Sequence, residues 1–126
     1  MTRWSDKDVL RASGIVAKAS VTVGDRRKKN KTERAYEDLF LRPAMQAGDV
    51  VWYAFERMTF LIGNDCRYTP DFAVQLASGE MELHEVKGGF IREDARVKFR
   101  SCAEQFPFRV ILAQLDDDGH WSRRAA

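Results

Sequence analysis

The sequence has few of the residues that mark several common classes of protein. Its only two cysteines, Cys66 and Cys102, are too few for a disulfide scaffold and are not spaced as a metal-binding pair. We interpret both as reduced packing residues. Only three prolines and a 44% hydrophobic fraction argue against a wholly disordered chain. No apolar run approaches the roughly 18 residues of a membrane span, and no hydrophobic stretch of the secretion-signal kind follows Met1. These absences predict a cytoplasmic protein that has no membrane partner.

The sequence also lacks the motifs of several enzyme classes. It has no phosphate-cradling glycine loop and no evident pairing of a nucleophile with a base, so a small-molecule enzyme has little support. No zinc finger or separate sequence-reading domain is visible in 126 residues, a length typical of one domain. We therefore expect one core and no small-molecule cofactor.

Positive charge is concentrated at the start of the chain. Residues 1–31 contain nine lysines and arginines against three acids, whereas residues 32–126 contain twelve against sixteen. The segment organisation therefore predicts a basic, partly flexible arm over residues 1–29 and a domain over residues 30–126. A basic cluster of this kind attracts phosphates, although it is also compatible with a solvated tail. The candidate DNA-binding residues of this cluster are Arg26, Arg27, Lys28, Lys29 and Lys31.

Hydrophobic periodicity and turn residues predict an α/β fold. A helix is expected to begin after Asn30 and to stop or kink at Pro43, and a second helix is expected over residues 92–105. The alternation over residues 50–62 predicts two strands or one long bent strand. Further strands are expected over residues 68–76, 81–87 and 110–113, the last buried on both faces. A short helix over residues 5–12 and either a loose linker or one weak strand over residues 14–25 complete the prediction. The order α-β-β-β-α-β implies a mixed β-sheet flanked by helices.

The strand predicted over residues 81–87 carries the most informative side chains. Alternation places Glu85 and Lys87 on one face, in a segment that is otherwise suited to burial. Burying such charges is costly unless they are paired or have a function. On the preceding strand Asp71 follows Pro70, where the ladder is interrupted and the strands can separate. If the two strands form a hairpin, Asp71 and Glu85 converge beside Lys87, an arrangement suited to Mg²⁺ and a phosphate.

These residues resemble the metal-dependent PD-(D/E)XK nuclease superfamily. The matching pattern is Pro70-Asp71 followed by Glu85-Val86-Lys87, and Glu33 lies on the preceding helix, where many members have a further acid. The order of elements over about residues 30–115 is similar to the superfamily core. Three stretches more narrowly resemble small nuclease-like proteins of phages and prophages: Lys31-Thr32-Glu33-Arg34-Ala35-Tyr36, Tyr68-Thr69-Pro70-Asp71-Phe72 and His84-Glu85-Val86-Lys87-Gly88.

The resemblance implies a restriction-endonuclease-like core and a role for each site residue. Asp71, Glu85 and the backbone carbonyl of Val86 would hold Mg²⁺, with Mn²⁺ as a substitute. Lys87 would orient the attacking water or stabilise the transition state, and Glu33 would adjust the metal site from the helix. The implied catalytic set is therefore Glu33, Asp71, Glu85 and Lys87.

Each of these residues also has a purely structural interpretation. Glu33 lies three positions after Asn30 and can complete a capping box. Asp71 can be an ordinary turn acid, and Glu85 with Lys87 can form an exposed ion pair on an edge strand. His84 points to the opposite face and is left out of the site. The basic residues of the second helix can contact DNA phosphates or can simply face solvent; they are Arg92, Arg96, Lys98 and Arg100.

The function expected from the sequence is a Mg²⁺-dependent endonuclease acting on DNA. Because no sequence-reading element is visible, branched DNA such as a Holliday junction is the favoured substrate. Cutting two strands requires two sites and so favours a homodimer, with the aromatic strands around Trp52 and Phe60 as a possible interface. The alternative is a DNA-binding phage accessory protein that has the nuclease fold but does not cut.

Overall fold

The computed structural model of the chain describes residues 27–126. The short helix expected over residues 5–12, the linker or weak strand expected over residues 14–25 and the candidate Arg26 lie outside the described residues. Within them, the chain forms three α-helical segments and seven strands.

The elements follow one another in a helix–strand–helix–strand order that is close to the expected one. The helical segments are α1 (Lys31–Tyr36), α2 (Arg42–Ala47) and α3 (Glu93–Gln105), with a π-helical turn over Glu37–Leu41 between the first two. The strands are β1 (Val50–Phe55), β2 (Phe60–Gly63), β3 (Cys66–Tyr68), β4 (Phe72–Leu76), β5 (Met81–Gly88), β6 (Arg109–Leu115) and β7 (Trp121–Ala125). The α/β class is confirmed.

The first helix continues across Pro43, so the alternative that it stops there is wrong. Proline has no N–H and crowds the preceding turn of an α-helix. The π-helical turn lies directly before it, and the N–H of Arg42 donates to the carbonyl of Glu37, five residues back. Local widening of the helix lets the chain pass the proline. The helix then ends at Gly48, whose φ of 85° is in the left-handed region that favours glycine.

A mixed five-stranded sheet in the order β1-β4-β5-β6-β7 forms the centre of the domain. The β4–β5 hairpin turns around Ser78 and Gly79 as expected, and β5 pairs with β6 in parallel through α3. Two features were not predicted. Strands β2 and β3 form a separate two-stranded sheet. Strand β7 adds an edge strand to the main sheet, and its polar sequence Ser122-Arg123-Arg124 does not show the pattern of a strand.

The two faces of the sheet bury separate hydrophobic clusters. On one face, α3 contributes Phe99 and Cys102, which pack with Leu83 of β5 and with the β2–β3 hairpin. On the other face, Tyr36 and Leu41 of the first helix pack against Phe72 and neighbouring residues. The arrangement confirms Cys102 as a packing residue, and residues 110–113 are buried as expected for a strand covered on both faces.

Phe60 belongs to the first of these clusters and is not an exposed aromatic residue. Its ring centroid lies 4.9 Å from that of Phe106 and 5.8 Å from that of Phe108, and it is 8% exposed. Trp52 is partly buried against the same cluster. The Phe60 side chain is therefore not available to a dimer interface, because the hairpin folds its aromatic face inward against α3. An interface formed by these strands stays a prediction.

Among residues 27–126, no helix has the length and apolar character needed to cross a membrane.

His84 contacts the first helix through the Tyr36 side chain. It is 1% exposed; its Nδ1 lies 2.7 Å from the Tyr36 hydroxyl, and its Nε2 lies 3.0 Å from Glu82 Oε1. Glu82 also accepts hydrogen bonds from the Arg109 guanidinium. A hydrogen bond from His84, assisted by Arg109, lowers the pKa of Glu82 to about 2, and burial lowers the pKa of His84. This polar network ties α1 to the centre of the sheet.

We expect Tyr36→Phe to lower the free energy of unfolding by about 1–3 kcal/mol, because it leaves a buried imidazole nitrogen without its partner. Urea denaturation at pH 7 measures the change. Tyr53→Phe is the matched control, since its hydroxyl also donates a hydrogen bond, to Glu37, but from a half-buried position. An equal loss in both variants would show that burial of the Tyr36–His84 pair is not the cause.

Candidate functional site

The candidate site begins where β4 and β5 separate. Their ladder ends at the pair Phe72 and His84, and Asp71 is the residue just before β4. Asp71 Oδ2 accepts a hydrogen bond of 2.8 Å from the N–H of Val86, so the carboxylate takes the place of the next ladder bond. Pro70 immediately precedes it and has no N–H to offer a ladder. Asp71 is only 7% exposed and is therefore not an ordinary surface turn acid.

Glu85 and Lys87 flank Val86 on the same strand and face the same side. Lys87 Nζ lies 3.1 Å from Glu85 Oε2, and the Tyr68 hydroxyl donates a 2.7 Å hydrogen bond to Glu85 Oε1. Glu85 is buried, and β5 is the central strand of the sheet. The interpretation of this pair as an exposed ion pair on an edge strand is therefore wrong.

Glu33 approaches the same place from the first turn of α1. Its backbone N–H donates to the Asn30 side chain at 2.8 Å, while its Oε1 accepts from the Asn30 N–H at 2.7 Å. The capping box is confirmed, and it directs a carboxylate that is 1% exposed toward Asp71.

Arg27 joins these carboxylates to one another. Its guanidinium donates to both oxygens of Glu33 at 2.8 and 2.6 Å, and it lies 3.5 Å from Asp71 Oδ1. Its Nε lies 2.8 Å from Glu56 Oε1. The Arg27 guanidinium is engaged by the carboxylates through paired hydrogen bonds, and its contact with DNA stays a prediction.

Several carboxylates are buried close to one another at this site, and burial makes their negative charge unfavourable. Burial, together with the charges of Glu85 and Glu33, raises the pKa of Asp71 to about 8. Burial would also raise the pKa of Glu33, but hydrogen bonds from Arg27 and from the Asn30 N–H hold it below its ordinary value. Burial, followed by the charge of Glu85, raises the pKa of Tyr68, so its hydroxyl stays protonated and donates. Such a site favours additional positive charge.

Sequence reasoning missed Tyr68 and Glu56. Tyr68 stands in the quoted stretch that ends at Phe72, but nothing in its spacing indicates that β3 leaves the main sheet and points its hydroxyl at Glu85. Glu56 follows β1, and its N–H donates to the carbonyl of Asp71. Its participation depends on the β1–β4 pairing, which no local motif marks.

The remaining basic candidates are distributed over two surfaces. Lys28 and Lys31 are exposed and Lys29 is half-buried, with its Nζ 2.8 Å from Glu37 Oε1. Along α3, most of the basic side chains are exposed and Arg96 is half-buried; these residues are Arg92, Arg96, Lys98 and Arg100. Arg92 Nε also lies 3.4 Å from Asp94 Oδ1.

A different acidic group lies in the loop between β6 and β7. Within residues 27–126, the one set of three or more acidic, histidine or cysteine side chains with all ligand atoms within 4.8 Å is Asp116, Asp118 and His120. All three are exposed, and Asp116 Oδ1 accepts the N–H groups of the other two. These bonds identify a surface turn.

The donor chemistry at Asp71 and Glu85 suits a hard divalent cation. Two buried carboxylates provide the oxygen ligands that Mg²⁺ prefers, and Asp71 carries a raised pKa that a nearby cation would lower. The Val86 carbonyl as a third ligand stays a prediction.

Comparisons of the chain with protein-family models, with curated proteins and with solved structures found no match.

Proposed function

We propose that the chain is a Mg²⁺-dependent endodeoxyribonuclease of the PD-(D/E)XK type, with a restriction-endonuclease-like core. Its substrate would be branched DNA such as a Holliday junction, cut by a homodimer in the cytoplasm, which is the host cytoplasm if the chain is phage-encoded. The observation that carries this proposal is the meeting of Asp71, Glu85 and Lys87 at the point where β4 and β5 separate. The charges of Glu33 and Glu85 act on Asp71, and all three carboxylates are buried, which is costly unless they are paired or bind a cation.

The described residues divide the chemistry among them. Asp71 and Glu85 would hold Mg²⁺, which polarises a phosphate and lowers the pKa of a bound water. Tyr68 orients Glu85 through its hydroxyl, and the Val86 N–H orients Asp71. Lys87, half-buried beside Glu85, places a positive charge where negative charge develops on the phosphate oxygens.

A panel of labelled DNA substrates tests the proposal. Blunt duplex, nicked duplex, single strand and four-way junction are incubated with the full chain in Mg²⁺, in Mn²⁺ and in EDTA. We expect junction cleavage in Mg²⁺ and Mn²⁺ and none in EDTA. If every substrate stays intact with both metals, the enzymatic proposal fails.

The second candidate function is a DNA-binding protein that has this fold but does not cut. Arg27 favours it, because its guanidinium already neutralises part of the carboxylate charge through Glu33, Glu56 and Asp71. Binding to junction DNA that weakens as salt rises, without cleavage, would support this alternative.

We expect Tyr68→Phe to weaken Mg²⁺ or Mn²⁺ affinity roughly tenfold, because residues that orient metal ligands typically contribute this much. The phenyl ring keeps the packing of β3, and only the bond to Glu85 is lost. Isothermal titration with Mn²⁺ measures the affinity. Tyr53→Phe is the control, because Tyr53 donates to Glu37 instead of to a proposed ligand. Unchanged Mn²⁺ affinity of the Tyr68→Phe variant would contradict the assignment of Glu85 as a metal ligand that Tyr68 orients.

A further inference from the structure

A cleft of about 820 Å³ lies beside the carboxylates, between the segment before α1 and the edge strand β1. Six basic side chains and two acidic ones line it, so its lining has four more positive than negative charges. The basic side chains are Arg27, Lys28, Lys29, Arg34, Arg42 and Arg57. A concave surface with this excess of one charge concentrates anionic ligands.

Part of this charge is already compensated inside the cleft. Glu37 accepts a hydrogen bond from the Tyr53 hydroxyl at 2.8 Å and lies within ion-pair distance of Lys29 and Arg42. Among residues 27–126, however, three of the basic side chains form no ion pair within 4 Å: Lys28, Arg34 and Arg57. Arg34 donates a hydrogen bond to the Lys29 carbonyl, and the uncompensated charge lies on these three side chains.

Arg57 gives the more specific indication of a ligand. Its Nε is buried and has no hydrogen-bond partner within the described part of the chain. Buried N–H groups are rarely left without an acceptor, because the loss costs about 1–3 kcal/mol. The preceding residue, Glu56, has a φ of 47°, a strained conformation for a residue with a side chain. Strain and an unpaired donor at adjacent positions are typical of a functional segment.

The cleft and the carboxylate site share Arg27. Arg27 lines the cleft and also contacts Glu33, Glu56 and Asp71. Two aromatic side chains, Tyr53 and Phe55, form part of the cleft wall, and the Arg27 guanidinium lies 5.0 Å from the Phe55 ring centroid. A strand in the cleft would therefore be separated from the carboxylates by the Arg27 side chain alone.

We propose that this cleft binds a single-stranded segment of DNA next to the carboxylates, with Arg57 and Lys28 donating to its phosphates. The proposal rests on the proposed function and narrows its branched-DNA substrates to those that have a single-stranded segment beside the branch. The volume is within the range of pockets that hold small ligands and matches a few nucleotides of one strand. Basic side chains combined with aromatic walls are typical of single-strand binding surfaces.

Fluorescence anisotropy of the full chain in EDTA tests the cleft without requiring cleavage. The probes are a labelled blunt duplex and the same duplex with a single-stranded tail, titrated at several salt concentrations. We expect the tail to tighten binding about tenfold and Arg57→Gln to remove most of this gain. The salt slope for the tailed probe is expected to fall by about 0.7–1 in this variant.

Three further variants make the result specific. Arg57→Lys keeps the charge and is expected to retain part of the gain, and the exposed Lys28→Gln is expected to reduce the gain without affecting folding. Arg124→Gln removes the same charge from β7, at the opposite edge of the sheet from β1, and is the matched control. The proposal is overturned if the tail gives no gain, or if Arg124→Gln loses as much of it as Arg57→Gln. Cleavage without a tail effect would contradict only the cleft, whereas a tail effect without cleavage would contradict only the nuclease function.

Discussion

Asp71→Asn is expected to change activity and stability in opposite directions. Cleavage of the best substrate in Mg²⁺ should fall by about 1000-fold, the order of loss when a group essential for transition-state stabilisation is removed. In EDTA at pH 9 the same variant should be more stable than the wild type by about 2 kcal/mol, or roughly 5–10 °C in Tm.

The sign of the stability change follows from the pKa of Asp71. Burial raises it to about 8 in the folded protein, far above its ordinary value of 3.8. The folded state therefore holds this proton more tightly than the unfolded state, and stability is lost as pH rises from about 4 to about 8. Asparagine keeps an oxygen that accepts from the Val86 N–H, and it has no charge. The Asp71→Asn variant therefore does not lose stability through this group as pH rises.

Differential scanning calorimetry in EDTA at pH 5 and pH 9 measures the Tm of the wild type and of the Asp71→Asn variant. The difference between the variant and the wild type should be larger at pH 9. The control is Asp49→Asn, which makes the same chemical change at an exposed position. If Asp71→Asn is no more stable than the wild type at pH 9, the pKa of Asp71 is not raised in the folded protein.

Lys87→Ala is expected to lower the cleavage rate by about 100- to 1000-fold while DNA affinity in EDTA changes less than about threefold. The ammonium lies beside Glu85 and is only partly exposed, so its main effect is local stabilisation of charge at the site. Single-turnover cleavage at saturating DNA measures the rate, and anisotropy measures the affinity.

Lys98→Ala is the matched control for this prediction. Lys98 is exposed on α3, and its removal should leave the saturated rate unchanged even if affinity falls. A rate loss of equal size in both variants would indicate that bulk positive charge, and not the position of Lys87, supports the reaction.

Local sequence signals predicted most of the elements correctly. Asn30 as a cap, the Ser78-Gly79 turn, the β5 alternation and the amphipathic α3 each depend on residues a few positions apart. The sequence left open whether the helix stops or kinks at Pro43, and the π-helical turn that carries it through was not predicted, because such a turn has no marker of its own in the sequence. Strand β7 was missed because its exposed, charged residues do not show the pattern of a half-buried strand.

The sequence by itself determined where the charged residues of the candidate site lie on their strands: an acid directly after Pro70, and Glu85 and Lys87 on one face of the next strand. Only the tertiary structure decided that Arg27, Glu33 and Glu56 meet there, that Tyr68 orients Glu85, and that a basic cleft adjoins the site. The physical reason is distance along the chain. Alternation and capping act between near neighbours, whereas the contacts of Arg27 and Asp71 join residues 44 positions apart, and these form only when sheet pairing and helix packing bring them together.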